Sequence, residues 1–175
     1  MTWDFASDPE PDIVISAAGD YLTKECLAAI DIVKNEAPEI KMRFVNIMEL
    51  SGIGMGNPDN KNFVFENYFT KDKPVIFSFH GYPQTLKQIL FDYGNSDRFS
   101  VHGYTEHGST TTPFDMHIWN QTSRWHLALE IFQKMNKDED LIQKYQQKIK
   151  DFAGYIKEHG VDPEEIENWK WTRNS

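Results

Sequence analysis

Histidine and tyrosine side chains follow an apolar run in the middle of the chain, where a turn can carry ligand contacts. Residues 75–79 are almost entirely apolar, as in a strand buried on both faces, and His80, Gly81 and Tyr82 come next. Because ligands gather at the carboxyl ends of parallel strands, these three residues are candidates for contact with a ligand or another domain. The structural alternative is that Gly81 makes the turn, His80 bonds a backbone carbonyl and Tyr82 packs against a neighbouring subunit.

A second turn of this kind begins at Gly103, at the end of a predicted strand near residues 99–104. Thr112, Pro113 and Asp115 have the form of a helix start, with a threonine N-cap, proline at the first position and an acid that bonds back to the cap. A helix N-terminus also binds phosphate, but Asp115 puts a negative charge where the anion must lie. Gly103, Thr112 and Asp115 are therefore candidate contact residues, and a structural corner is favoured over a phosphate site.

Three other patterns are too weak to assign chemistry. The loop at residues 51–58 has G-x-G-x-G spacing and is followed by a turn signal, which favours a surface loop over a phosphate cradle. The six histidines show neither HxxxH nor HxH spacing, so we predict no metal site. No serine, histidine and acid stand in the local pattern of a nucleophile, so we predict no catalytic residue.

The segments that must hold these turns alternate between strands and helices, which is typical of an α/β fold. Apolar runs predict strands at residues 13–18, 42–48 and 75–79. A helix with an apolar stripe follows the first strand and ends at Pro38, and Cys26 lies in that stripe as a core residue. A last long helix is predicted from apolar residues at spacings of three and four: Ile142, Tyr145, Ile149, Phe152 and Ile156.

Composition narrows the class of protein. The length of 175 residues suits one domain, and 27 acidic against 18 basic residues give a net charge of −9. The lysines form no stripe, which excludes nucleic acid and anionic membranes as partners. A single cysteine cannot form an internal disulfide, and no apolar run is long enough for a membrane span or a secretory leader. A cytoplasmic location is predicted.

The motifs together resemble the C-terminal domain of phosphoketolases. These thiamine-diphosphate-dependent enzymes cleave xylulose 5-phosphate or fructose 6-phosphate with inorganic phosphate to give acetyl phosphate. The segments that carry the resemblance are WDFAS (3–7), PDIVISAAGD (11–20), MRFVNIMEL (42–50), FTKDKPVIFSFHGYP (69–83), GYTEHGSTTTPFDM (103–116), NQTSRWHLA (120–128) and YIKEHGVDPEEIENWKW (155–171). The loop at residues 51–58 departs from the family pattern, which usually has a longer insert bearing proline and histidine.

The resemblance implies a fold similar to the C-terminal domain of transketolases. That fold is a Rossmann-like, three-layer α/β/α domain with a five-stranded mixed sheet. A short strand around Trp3 to Ala6 would run antiparallel to the others. The expected organisation is one domain over residues 1–175, with an N-terminal strand and linker at 1–11 and a terminal helix and tail at 138–175.

The resemblance also implies a function. Thiamine diphosphate and its divalent metal, Mg²⁺ or Ca²⁺, would belong to the N-terminal domains of the enzyme, and this domain would bind no cofactor. Its partners would be those thiamine-diphosphate-binding domains and a second copy in a homodimer. It would stabilise the dimer and shape the approach to the active site of a carbon–carbon lyase without being catalytic alone. The alternative is a freestanding or regulatory module that binds a small anion near His80 and Gly103.

Overall fold

The computed structural model describes residues 6–48, 50, 61–91, 93, 95–105 and 110–171. In that part of the chain the strands are β1 (Ile13–Ala18), β2 (Met42–Asn46), β3 (Val75–Phe79) and β4 (Phe99–Gly103). The helices are α1 (Asp20–Glu36), α2 (Lys61–Phe69), α3 (Pro83–Phe91), α4 (Pro113–Trp119), α5 (Arg124–Lys134), α6 (Glu139–His159) and α7 (Glu164–Glu167), and a 3₁₀ turn spans Ser96–Arg98. The glycine-containing loop at 51–58 lies outside the described residues.

The four strands form one parallel sheet in the order β2-β1-β3-β4. The strands predicted from the apolar runs are confirmed, although the second is shorter than predicted. Ile47 still donates its N–H to the carbonyl of Ala17 at 2.8 Å, but Met48 is 83% exposed and has left the sheet. The apolar side chain of Met48 therefore does not extend β2 to this residue.

The free edge of β2 carries the only trace of a further strand in the described residues. Ser7 forms one isolated antiparallel bridge with Arg43, and the Arg43 guanidinium donates to the carbonyls of Asp8 at 3.1 Å and Pro9 at 2.7 Å. The predicted strand at Trp3 to Ala6 falls mostly on residues 1–5, which are outside the described part. The α/β class is confirmed, whereas a five-stranded mixed sheet is not.

Helices cover both faces of the sheet, because alternate strand residues enter two separate cores. In β1, Ile13 and Ile15 join the core beneath α1, α5 and α6, while Val14 joins the core beneath α2 and α3. The result is three layers, as the resemblance implies. Cys26 lies fully buried in the larger core, and burial raises the pKa of its thiol to about 12, which confirms its interpretation as a core residue.

A buried ion pair joins α1 to the start of α5. Both carboxylate oxygens of Glu25 accept from Arg124: Oε2 from the backbone N–H at 2.8 Å and from Nε at 3.0 Å, and Oε1 from Nη2 at 2.5 Å. The two side chains are only 4% and 3% exposed. This pair fixes the first turn of α5 against the middle of α1.

The chain after α6 folds back over α1 and α4. Lys24 donates through Nζ to the carbonyl of Ile166 at 3.3 Å, and Asp162 accepts through Oδ2 from the N–H of Phe114 at 3.0 Å. The terminal segment thus holds α1 and α4 in place beside the carboxyl edge of the sheet. None of the described helices is long and apolar enough to cross a membrane.

Candidate functional site

The start of α4 is confirmed as the capped helix terminus that the sequence predicts. The Thr112 hydroxyl accepts from the N–H of Asp115 at 3.3 Å, and Pro113 occupies the first helical position. The Asp115 carboxylate, however, does not bond back to the cap. It accepts from the Thr111 hydroxyl at 2.5 Å instead.

The same helix start has no room for a bound anion. Its exposed N–H groups are taken by oxygens of the protein: Thr112 bonds Asp115, and the Asp162 carboxylate bonds Phe114. Two carboxylates, Asp115 and Asp162, therefore lie where a phosphate would need positive potential. Thr112 and Asp115 therefore take part in hydrogen bonds within the protein, and their role as a structural corner stays a prediction.

Gly81 and Gly103 meet at the ends of β3 and β4. A Cβ atom added to Gly103 would lie 2.4 Å from the carbonyl oxygen of Gly81 and 2.9 Å from that of Phe79. The N–H of Tyr104 donates to the same Gly81 carbonyl at 2.9 Å. Only glycine lets the two strand ends approach so closely, and the contact brings the Tyr82 and Tyr104 rings to 6.0 Å in an edge-on arrangement.

A cavity of about 260 Å³ opens at this edge of the sheet. Two of the predicted contact residues, His80 and Gly103, line it. Gly81, Tyr82, Thr112 and Asp115 do not line it. The remaining lining residues come from the start of α1, the ends of the strands and the segment from α4 to α5: Tyr21, Leu22, Phe79, Tyr104, Pro113, Met116, His117, Asn120 and Thr122.

The polar groups of the cavity wall include two histidines, an asparagine and a threonine, and no lysine, arginine, aspartate or glutamate. Burial lowers the pKa of His117 below its usual value, and its Nδ1 lies 2.9 Å from the Thr122 hydroxyl. Asn120 accepts through Oδ1 from both the N–H and the hydroxyl of Thr105 at 2.7 Å. His80 uses its backbone N–H to donate to the Ala18 carbonyl at 2.9 Å, so its predicted structural bond comes from the main chain.

Most of the wall could not be assigned from sequence. Tyr21 and Met116 carry no motif, and the fold brings both to the cavity wall, where the Tyr21 ring lies 6.1 Å from the ring of His117. Asn120 and Thr122 belong to a tight turn between α4 and α5, where Gln121 has a positive φ of 55° and Ser123 caps the next helix. The polar run from 120 to 123 is the one sequence signal that marks this corner.

A second polar cluster lies away from the cavity, on the edge strand. His102 on β4 contacts Glu130 of α5 with 2.5 Å between Nε2 and Oε2. Nearby, burial lowers the pKa of His126 to about 4, and its Nδ1 lies 2.7 Å from the Ser123 hydroxyl. Among the described residues, no three histidine, cysteine or acidic side chains are placed to hold a metal ion.

A parallel four-stranded sheet with helices on both faces and a cavity at its carboxyl edge defines an open α/β domain. The profile of the XFP C-terminal domain family matches residues 1–171, and the chain belongs to this family. Relatives include a probable phosphoketolase of Brucella abortus at 37% identity over 97% of this chain, and probable phosphoketolase 2 of Rhizobium meliloti at 38% over 97%. A probable phosphoketolase of Pseudomonas putida is 34% identical over 99%. The chain spans 23% of the length of each of these relatives.

Proposed function

We propose that this chain is the C-terminal domain of a thiamine-diphosphate-dependent phosphoketolase. The whole enzyme would cleave xylulose 5-phosphate, fructose 6-phosphate or both with phosphate to give acetyl phosphate and an aldose phosphate. The observation that carries the proposal is the near-complete match of this chain to a quarter of each phosphoketolase relative. The domain would span 1–175, with residues 1–11 as strand and linker, 138–175 as terminal helix and tail, and an antiparallel fifth strand beside Arg43 at the Ser7 bridge.

The cavity at the carboxyl edge and the start of α4 do not fit thiamine diphosphate or its metal. The cavity wall contains no lysine, arginine, aspartate or glutamate, so it offers nothing to a diphosphate or to Mg²⁺ or Ca²⁺. The start of α4 is occupied by Asp115 and Asp162. The cofactor and its metal would therefore be held by the domains that precede this one, and the domain would act structurally within a cytoplasmic enzyme.

Exposed aromatic side chains support the proposal that this domain contacts other parts of the enzyme. Tyr21 and Tyr104 line the cavity, the Tyr82 ring lies 6.0 Å from the Tyr104 ring, and Trp119 ends α4 beside the lining residue Asn120. We name this set the aromatic rim: Tyr21 (59% exposed), Tyr82 (52%), Tyr104 (40%) and Trp119 (40%). Clustered exposed aromatics are typical of interfaces rather than of isolated surfaces. We propose that the rim faces the thiamine-diphosphate-binding domains or the second copy of the homodimer.

The alternative, a module that binds a small anion, is less well supported. The wall near His80 and Gly103 contains no lysine or arginine, and the whole chain carries a net charge of −9. An anion in this cavity would lose hydration without gaining an ion pair.

Complementation tests the proposed function. Removing the region matched by this chain from the Rhizobium meliloti phosphoketolase should abolish acetyl phosphate formation, and adding this chain in trans should restore a measurable part of it. The Y82S/W119S variant should restore less than Phe91→Ser, a control at an exposed site on α3. The chain alone should form no acetyl phosphate and show no micromolar binding of thiamine diphosphate with Mg²⁺ by calorimetry. Micromolar cofactor binding to the isolated chain would contradict the proposal that the preceding domains hold the cofactor.

A further inference from the structure

The cavity lies at the switch point of the sheet. β1 is followed by β2 on one side, and the chain then returns to place β3 on the other side of β1. In open α/β sheets, the crevice between two strands related in this way is where small molecules bind. Here the two strand ends touch: a Cβ atom added to Gly19, which has a φ of 123°, would lie 2.5 Å from Cβ of His80.

The size of the cavity selects a small ligand. Its volume of about 260 Å³ is slightly below the range of roughly 300–1,000 Å³ that is usual for ligand pockets. Tyr21 and Tyr104 contribute aromatic surface, and Leu22, Phe79 and Met116 contribute aliphatic and aromatic surface. A molecule with one ring, or with two fused rings, fits the volume and the aromatic and aliphatic lining of the cavity.

The chemistry of the wall selects an uncharged ligand with a polar edge. Asn120 and Thr122 already bond Thr105 and His117, so they serve the fold. Nε2 of His117 and the ring of His80 have no hydrogen-bond partner among the described residues, and both line the cavity. The Tyr21 ring lies 6.1 Å from the His117 ring, so aromatic surface and a neutral imidazole are presented side by side.

We propose that this cavity binds an uncharged cyclic compound of one or two rings, which packs between the aromatic side chains and hydrogen-bonds to His80 or His117. The cavity lies inside the aromatic rim, so its occupant would be in contact with whatever covers that rim. Pockets at domain boundaries are a common place for such ligands.

Binding of indole to this chain tests the proposal, with benzoate and inorganic phosphate as charged comparisons. Indole should bind saturably with a dissociation constant on the order of a millimolar, as expected for so small a ligand. In two-dimensional NMR spectra, the shifted amides should cluster at Leu22, Tyr104 and His117. Benzoate should bind about tenfold more weakly or worse, because its charge would be buried without a partner.

Variants separate this cavity from other surfaces. Met116→Trp, which fills the cavity, should abolish indole binding, while Phe91→Trp, at a side chain that is 75% exposed, should bind as the unaltered chain does. His80→Ala keeps the space and removes a polar partner, so it should weaken binding about threefold to tenfold, the effect of one hydrogen bond. Circular dichroism melts establish that each variant is folded.

Four outcomes would overturn the proposal. Absence of saturable indole binding to the folded chain is one, and equal binding by folded Met116→Trp and Phe91→Trp is another. The third concerns the occupant: if indole binds this chain but not a whole phosphoketolase carrying it, the cavity is filled by a side chain of the preceding domains. Tighter binding of phosphate than of indole would instead assign the site to an anion.

Discussion

A glycine at the end of β4 sets the geometry of the carboxyl edge of the sheet. Gly103 ends β4 against the carbonyl oxygens of Gly81 and Phe79, in a space that has no room for a Cβ atom. Both neighbours are backbone atoms, which cannot rotate away as a side chain can. The position of Tyr104, the next residue and part of the cavity wall, therefore depends on this glycine.

Gly103→Ala should destabilise the chain by about 1–3 kcal/mol or more, because backbone must move to admit the methyl group. Gly154 provides the matched control, since a Cβ atom there meets nothing within 4 Å and the residue lies inside α6. Gly154→Ala should raise stability by up to about 1 kcal/mol through helix propensity. Urea unfolding of both variants measures the difference, and equal stabilities would show that the strand ends adjust freely.

The cap of α4 is a second residue-scale feature. Thr112→Ala should lower the free energy of unfolding by about 1 kcal/mol, because the N–H of Asp115 loses its acceptor. Thr110, exposed and two residues earlier, is the control, and Thr110→Ala should change stability by less than about 0.5 kcal/mol. A melting curve that is unchanged by Thr112→Ala would mean that Asp162 and Thr111 are enough to hold the helix start.

At the scale of elements, helix α5 depends on one ion pair. Glu25 and Arg124 are separated by 99 residues in sequence, and each is almost fully buried. A buried ion pair adds little to the free energy of unfolding compared with an apolar pair of the same shape. Loss of one partner, however, leaves the other charge buried in the core without a partner. The start of α5 and the turn before it, which includes Asn120 and Thr122, rest on this contact.

Glu25→Ala should therefore cost about 3–5 kcal/mol by leaving Arg124 without its acceptor. The comparison is Lys71→Ala, since Lys71 is 78% exposed and its Nζ lies 3.7 Å from Glu66. That change should cost less than about 1 kcal/mol, as for other surface pairs. If thermal unfolding of the two variants agreed within error, Arg124 would be supported by other groups, including the ring of Trp169 at 5.2 Å.

The elements show what a sequence can and cannot reveal. β1 and β3 were predictable because both faces of each are buried, so their residues form continuous apolar runs. The start of α4 was predictable because Thr112 and Pro113 act locally. The cavity was only half predictable. Strand order places His80 and Gly103 at one edge, but the position of Tyr21 on α1, 6.1 Å from the ring of His117 on α4, leaves no local mark in the sequence.

The contacts of the chain terminus show the same limit. Asp162 bonds Phe114 across 48 residues, and no motif links the two. The fifth strand is different, since it was expected from family resemblance and not from a pattern in residues 3–6. An antiparallel bridge at Ser7 is what the described residues show of it.

At the scale of the whole molecule, charge and aromatic exposure act against each other. A net charge of −9 keeps copies of the chain apart, and this repulsion weakens as salt screens it. The aromatic rim instead favours association, because covering its rings removes apolar surface from water. Trp169 and Trp171 take no part in the rim, as both are half-buried near the end of the chain.

The purified chain should therefore self-associate through the aromatic rim, and more strongly at high salt than at low salt. Sedimentation velocity over a concentration series measures this, with Y82S/W119S expected to shift the monomer–dimer midpoint to higher concentration by about tenfold or more, the scale of losing aromatic anchors. Tyr68→Ser is the control. Tyr68 lies on α2 and is 39% exposed, and its backbone carbonyl accepts a hydrogen bond from Arg43 at the other edge of the sheet. A monomer at every concentration and salt level would contradict the prediction. Equal weakening by the control would show that exposed tyrosines in general, rather than the rim, cause the association.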